Sequence, residues 1–352
     1  MSISPFEHSF LSGLFGDEAF AALFAGQADI AAMLSFEAAL AKAQGEAGVI
    51  EPGDATAIQS GLARFTADLD ALKTATARDG VVIPELVSQM RKAIGGGSAA
   101  KLHFGATSQD VIDTSLVLRL KMAAELLDQR LAALIAGFEQ LDAAFGQNAL
   151  MGHTRMQAAI PITVSDRIAA WVGPLHRHRF RLRALLADGF ALQFGGAAGT
   201  LEKLGDKGPA GRARLAELLG LQDAPQWHSQ RDRIVALADL LSLISGSLGK
   251  FGQDVALLAE MGGEIQLTGG GGSSAMPHKQ NPVGAETLVT VARFNSVQIA
   301  GLHQSLVHEQ ERSGAAWALE WLLLPQMVVA TGAATKTGLQ LIGAIARLGK
   351  SA

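Results

Sequence analysis

The feature that most constrains the fold is an uninterrupted helical pattern from Val111 to Phe145. Apolar residues recur there every three or four positions, a spacing that places them on one face of an α-helix. They are Leu116, Leu120, Ala123, Leu127, Leu131, Leu134, Phe138, Leu141 and Phe145. The segment lacks proline, and Gly137 is its only glycine. Such a helix spans roughly 50 Å at 1.5 Å per residue. Apolar residues also flank the stripe, which indicates a bundle interior.

Four further segments carry the same period and complete a predicted all-α bundle of five long helices. They are Pro161–Leu186 with a kink at Gly173-Pro174, Ser229–Met261, Gly284–Glu309, and Ala315 to about Leu348 with a bend at Pro325. Shorter helices are predicted over Ala28–Gly45, Ala55–Thr76 and Glu85–Ile94. The run Gly95-Gly96-Gly97-Ser98 then breaks the chain. We therefore expect an N-terminal helical domain over residues 1–100 and a central bundle domain over residues 101–345.

Composition agrees with close-packed helices and excludes several functions. Hydrophobic residues make up 49% of the chain and aromatic residues 5%, whereas strands recruit aromatic and β-branched residues. A net charge of -4 argues against a nucleic-acid or anionic-membrane surface. Cysteine is absent, which excludes disulfides and thiolate zinc sites. No export signal is recognised, so a cytoplasmic protein is expected. The mean hydropathy of +0.24 suggests burial between subunits.

A glycine-rich loop at residues 269–282 is the strongest candidate for function. Its sequence is Gly269-Gly270-Gly271-Gly272-Ser273-Ser274-Ala275-Met276-Pro277-His278-Lys279-Gln280-Asn281-Pro282. A phosphate-binding loop needs Gly before its Lys and Ser or Thr after it, and His278 and Gln280 stand there instead. The polar continuation is not typical of a linker. We interpret the segment as a mobile catalytic or binding loop.

Three other polar segments lie between the predicted helices. In His103–Asp110, Thr107 and Asp110 have capping-box spacing, and a helix start is a ready anion site. Gly152–Gln157 offers Thr154 and Arg155 to a carboxylate, and Trp227–Asp232 precedes a helix. The run at 308–312 is interpreted as a solvated face. A metal site is not expected, and no serine-nucleophile elbow is present.

These motifs together resemble the fumarase/aspartase superfamily, which includes fumarase, aspartase, argininosuccinate and adenylosuccinate lyases, and muconate cycloisomerases. The run from Ser273 to Pro282 resembles its signature, His103–Asp110 its first motif and Gly152–Gln157 its second. The resemblance implies a five-helix unit that forms a twenty-helix core in a homotetramer. It also implies no cofactor, and active sites shared between three subunits. The family's small C-terminal third domain is expected to be largely absent.

The resemblance also assigns roles to residues. It implies that Ser273 transfers the proton and that Lys279 acts with it as the second catalytic residue. Lys279 and Asn281 would hold a carboxylate of a small anionic di- or tricarboxylate substrate. The predicted substrate-binding residues are His103, Thr107, Ser108, Thr154, Arg155, Gln230, Ser274, Met276, Asn281 and Arg312.

One departure from the family pattern narrows the expected reaction. Fumarases and the nitrogen lyases have a histidine where this chain has Arg155, and that histidine handles the proton of a poor leaving group. A carboxylate leaves or attacks as the anion it already is at pH 7. The pair Trp317 and Trp321, with no later arginine for a nucleotide phosphate, also resembles the lactonising muconate cycloisomerase branch. That branch belongs to aromatic degradation.

Three alternatives remain open at this point. The same chemistry could act on a 3-sulfo analogue of the muconate, because arginine accepts a sulfonate as well as a carboxylate. An amine lyase of the adenylosuccinate or argininosuccinate type is disfavoured by Arg155. A catalytically silent structural relative is disfavoured by the intact Ser273, Lys279 and Asn281, although a retained motif does not guarantee activity.

Overall fold

The computed structural model describes residues 4–272, 275–276 and 280–350, and helices dominate this part of the chain. The N-terminal helices are α1 (Ser12–Phe15), α2 (Glu18–Ala22), α3 (Gly26–Glu46), α4 (Pro52–Leu62), α5 (Leu69–Asp79) and α6 (Ile83–Ile94). The later helices are α7 (Ser108–Phe145), α8 (Val164–Asp188), α9 (Gly208–Leu219), α10 (Asp232–Met261), α11 (Val283–Gln304) and α12 (Ala315–Ala344). The predicted all-α class is confirmed.

Five of these helices, α7, α8, α10, α11 and α12, form the long bundle. Phe138, Trp171 and Phe251 meet at its centre, with ring centroids 4.9 Å apart for Phe138–Phe251 and 5.0 Å for Trp171–Phe251. Close approach of α10 and α11 depends on small residues, since a Cβ at Gly252 would lie 2.6 Å from the Ala285 carbonyl oxygen. Among the described helices, α10 alone is long and apolar enough to cross a bilayer, and much of it is buried in this core.

Within the described residues, two small antiparallel sheets close one end of the bundle, and the sequence analysis did not predict them. One is a hairpin of β1 (Ala149–Thr154) and β2 (Gln157–Thr163). The other pairs β3 (Ile265–Leu267) with β4 (Ile345–Leu348).

Several predicted helix boundaries were wrong. Ala55–Thr76 is two helices, because the Asp68 carboxylate caps a new helix by accepting from the N–H groups of Asp70 and Ala71. The helix predicted from Pro161 begins at Val164, after a capping box of Thr163 and Asp166. The last two predicted helices end earlier, at Gln304 and Ala344. Helix α9 was not predicted. The domain division near residue 100 falls at a short 3₁₀ helix, Ser98–Lys101, and stays a prediction.

The bundle is antiparallel, so its loops gather at two ends. The segments at 103–110, 193–197, 226–231 and 308–314 meet at what we name the N-cap end, where α7, α10 and α12 begin. The segments at 149–163, 262–272, 280–282 and 345–350 lie at the opposite end, named the hairpin end.

Candidate active site

The start of α7 is organised by the buried carboxylate of Asp110. This carboxylate accepts the backbone N–H of Thr107 at 2.9 Å as part of the predicted capping box. It also accepts the N–H groups of Gly195 at 2.9 Å and Gly196 at 3.0 Å, and it pairs with His228 Nε2 at 2.8 Å. Asp110 therefore fastens three loops around the helix start. The helix dipole and the free N–H groups of a first turn favour an anion beside Thr107 and Ser108.

Arg312 lies at the same helix start. Its Nε donates to Gln109 Oε1 at 3.0 Å and its Nη2 to the Ala197 carbonyl oxygen at 3.1 Å. Gln109 is itself held, because its amide donates to the His228 carbonyl oxygen at 2.9 Å. Gln230 is exposed on the segment that carries His228. The N-cap end thus gathers five predicted substrate-binding residues: His103, Thr107, Ser108, Gln230 and Arg312.

His103 lies just before the helix in a left-handed backbone conformation, with φ of 64°. Its Nδ1 is 2.6 Å from Oε1 of Glu37, a buried residue of α3. Burial lowers the pKa of His103, but the charge and hydrogen bond of the Glu37 carboxylate outweigh that effect, and the net pKa is raised. The imidazole is therefore biased towards its cationic form.

A buried ionic cluster beneath this end was missed by the sequence analysis. The Arg231 guanidinium makes two hydrogen bonds to Asp113, at 2.7 and 3.1 Å, and two to Glu320, at 2.8 and 2.6 Å. Trp317 Nε1 donates to Asp113 at 2.9 Å. The His308 side chain is also buried here, so the solvated-face interpretation was wrong for His308, although Glu309 and Glu311 are exposed. These partners fix where α10 and α12 begin relative to α7.

At the hairpin end, Arg155 and Met156 form the tip of the β1–β2 hairpin. Thr154 pairs with Gln157, which leaves a two-residue turn. Both turn residues have positive φ, 48° for Arg155 and 65° for Met156. Turns of this kind favour glycine or asparagine, so the tip is strained. The side chains of Thr154, Arg155 and Met156 are exposed, which leaves them available to a ligand or to another copy.

The two sides of the glycine-rich loop are hydrogen-bonded to each other at its base. Gly271 and Asn281 exchange two backbone hydrogen bonds, both 2.9 Å long, and Gly269 has a left-handed φ of 78°. Beside this base lies a cavity of about 430 Å³, lined in part by Thr268, Asn281 and Thr337. Met276 is exposed. The predicted residues Ser273, Ser274 and Lys279 lie outside the described residues.

One chain does not bring all the predicted residues together. Helix α7 has 38 residues, so the N-cap end and the hairpin end are separated by roughly 55 Å at 1.5 Å per residue. The anion-binding helix start lies at one end, and the hairpin tip and loop base lie at the other. A site that uses both sets of residues needs more than one copy of the chain.

Comparison with known proteins identifies the family. A family model described as a lyase matches residues 9–300. A 3-carboxy-cis,cis-muconate cycloisomerase of Bradyrhizobium diazoefficiens is 40% identical over 311 residues, which cover 86% of this chain and 69% of that protein. The chain belongs to the fumarase/aspartase superfamily. It is therefore an enzyme of that lyase superfamily, as its motifs predicted.

Two further relatives of the superfamily match over most of the chain. A 3-carboxy-cis,cis-muconate cycloisomerase of Pseudomonas aeruginosa is 39% identical over 329 residues, covering 91% of this chain and 72% of the relative. The crystal structure of the 3-carboxy-cis,cis-muconate lactonizing enzyme of Pseudomonas putida superposes with a TM-score of 0.89 at 36% identity. That match covers 96% of this chain and 77% of the other. The bundle architecture is thus that of a solved superfamily member.

Proposed function

We propose that this protein is a cofactor-free cycloisomerase that closes 3-carboxy-cis,cis-muconate to 4-carboxymuconolactone. The observation that carries the proposal is Arg155 at the hairpin tip, where the amine and water lyases of the superfamily have a histidine. The relatives named above support the same substrate. The reaction would serve the protocatechuate, or β-ketoadipate, branch of aromatic degradation, in the cytoplasm.

In the proposed reaction one substrate carboxylate adds across a carbon–carbon double bond. A carbon–oxygen bond forms, and negative charge develops on the carbon beside another carboxylate and spreads into it. Fixed cations and N–H groups aimed at that carboxylate stabilise the transition state. We assign this role to Lys279, Asn281, Thr107 and Ser108. Ser273 then delivers a proton to the carbon and regains one from solvent. The ionised substrate thus takes up one proton overall, and the acid forms of substrate and lactone are isomers.

The attacking carboxylate needs no proton from the enzyme, because it is already ionised at neutral pH. Arg155 can instead hold a third anionic group of the substrate through two parallel hydrogen bonds. Because the predicted residues lie at opposite ends of the bundle, we propose a homotetramer in which different copies supply the two sets.

The proposal is tested by following ultraviolet absorbance, which is lost as the conjugated diene of the substrate closes to the lactone. Purified protein is mixed separately with 3-carboxymuconate, with its 3-sulfo analogue and with adenylosuccinate. Rapid loss with 3-carboxymuconate, and little change with the other two, is the expected result. Faster loss of absorbance with the sulfo analogue would show that the sulfo analogue is the substrate and that the ring-closing reaction is unchanged. Turnover of adenylosuccinate alone would overturn the proposal, as would inactivity with all three compounds.

A further inference from the structure

The N-terminal helices hold the segment that carries His103. Glu37 of α3 contacts the His103 ring at 2.6 Å. The Gln44 amide of the same helix donates to the Phe104 carbonyl oxygen at 2.6 Å. Arg91 of α6 donates to the Leu102 carbonyl oxygen at 3.1 Å. Three side chains of the N-terminal helices thus fix three consecutive residues just before the start of α7.

This segment has an unfavourable backbone conformation that requires such support. His103 has φ of 64° and Gly105 has φ of 75°. Glycine adopts that region freely, but a histidine there is strained unless its surroundings hold it in place. Strain of this kind concentrates at ligand-binding positions. The strained conformation occurs at His103, whose side chain is 15% exposed and contacts a Glu37 side chain that is only 1% exposed.

The charges around the imidazole favour its protonated form. Three groups act on it: Glu37 from α3, Asp110 from α7 and Arg91 from α6. Asp110 is also engaged by His228 and by three backbone N–H groups. Glu37 Oε2 has no hydrogen-bond partner within the described residues. A buried carboxylate with so few partners is stabilised chiefly by a cation, and the His103 ring is the cation in contact with it. With Nδ1 occupied, Nε2–H is the donor left for a ligand.

We propose that Glu37 is a positioning residue, which orients His103 and keeps it cationic so that its Nε2–H binds a substrate carboxylate at the start of α7. This inference rests on the proposed function for the identity of that carboxylate. Glu37 itself touches no reacting atom. Glu37 acts by setting the charge and the orientation of the imidazole. A residue needed for folding alone would therefore give a different pH dependence of KM.

The test replaces Glu37 by glutamine, which keeps the side-chain volume and an acceptor for Nδ1 but removes the charge. At a pH between the ring pKa values of the two proteins, the variant ring has lost its proton and the wild-type ring keeps it. There KM for 3-carboxymuconate should rise about tenfold, as expected when one charge-assisted hydrogen bond weakens. The value of kcat should change less. Below the ring pKa of the variant both rings are protonated, and the difference in KM should shrink. Nuclear magnetic resonance of the ring, assigned with His103→Gln, should show a lower pKa in the variant.

Glu46→Gln is the matched control. It removes a carboxylate from the same helix, but one that is exposed and paired with Arg214, so KM should stay unchanged. The proposal is overturned if Glu37→Gln raises KM equally above and below the ring pKa of the variant, or leaves both KM and the ring titration as in the wild type. A wild-type His103 that titrates below 6.5, the ordinary histidine value, also overturns it, even if the variant does not fold. The titration needs no substrate, so failure of the proposed activity is recognised separately.

Discussion

Arg155 is the residue that separates the proposed lactonisation from release of an amine or of water. It is exposed at a turn whose two central residues both have positive φ, so the side chain extends from the hairpin tip. In the proposed reaction, an arginine in that place would hold an additional anionic group of the substrate through two parallel hydrogen bonds.

Replacement of Arg155 by histidine should therefore weaken substrate binding more than it slows chemistry. We expect KM for 3-carboxymuconate to rise roughly tenfold to a hundredfold, which corresponds to the loss of about 1.5–3 kcal/mol from a charged hydrogen bond. The value of kcat should change by a smaller factor. Steady-state kinetics measure both quantities. An unchanged KM, or a fall confined to kcat, would contradict the assigned role. Arg181→His makes the same substitution at an exposed position of α8, away from the site, and serves as the control.

Residues within one motif could be predicted from the sequence, and residues that depend on distant partners could not. Thr107 and Asp110 lie three positions apart, so the capping box is visible in the sequence. Arg231 meets Asp113 across 118 positions and Glu320 across 89. Nothing local to any of these residues indicates that it is buried and paired. Glu37 was missed for the same reason, since His103 lies 66 positions away.

At the level of elements, α8 carries a buried histidine that contacts α10 and makes the bundle sensitive to acid. His178 Nε2 lies 2.8 Å from Ser247 Oγ, and its Nδ1 has no partner within the described part of the chain. Burial, together with the charges of Arg181 and Arg177, lowers the pKa of His178 to about 4. The folded protein therefore resists protonation here, whereas the unfolded chain takes up the proton near the ordinary histidine pKa of about 6.5.

The free energy of unfolding should consequently fall as pH drops from about 6.5 to about 4, and this contribution should level off below. We expect His178 to account for up to about 2 kcal/mol of the loss, since solvent screens part of the effect. His178→Gln can keep a hydrogen bond to Ser247 without titrating. Urea denaturation at several pH values should show a shallower acid loss for that variant. Parallel pH curves for the two proteins would show that His178 does not contribute.

The long helices were predictable because a strong three-four apolar period was enough to find each of the five. The hairpin was not, because Gly152–Gln157 has no alternating apolar pattern and its turn lacks glycine and asparagine. Helices α4 and α5 were predicted as one helix because the cap at Asp68 was not recognised. Helix start signals of one or two residues therefore decided the boundaries that the apolar period could not.

In the whole molecule, the predicted binding residues that the structure describes are divided between two distant ends. Asn281 and the strained hairpin tip lie at the hairpin end, whereas His103, Thr107, Ser108 and Arg312 lie at the N-cap end. The roughly 55 Å length of α7 keeps these groups apart within one chain. The sequence alone could name the motifs but could not measure this separation, which follows from the antiparallel packing of the long helices.

Coexpression of two inactive variants tests the central claim most directly. One copy carries His103→Gln and Ser108→Ala at the N-cap end, and the other carries Ser273→Ala in the glycine-rich loop. Each alone should be folded and nearly inactive on 3-carboxymuconate. Mixed assemblies purified by two different tags should regain activity, because some sites then receive an intact residue set from each copy. Coexpression of Ser273→Ala with Lys279→Ala, both in the loop, should restore none. Intact mixed assemblies that stay as inactive as this same-loop pair would contradict a lactonising site shared between copies.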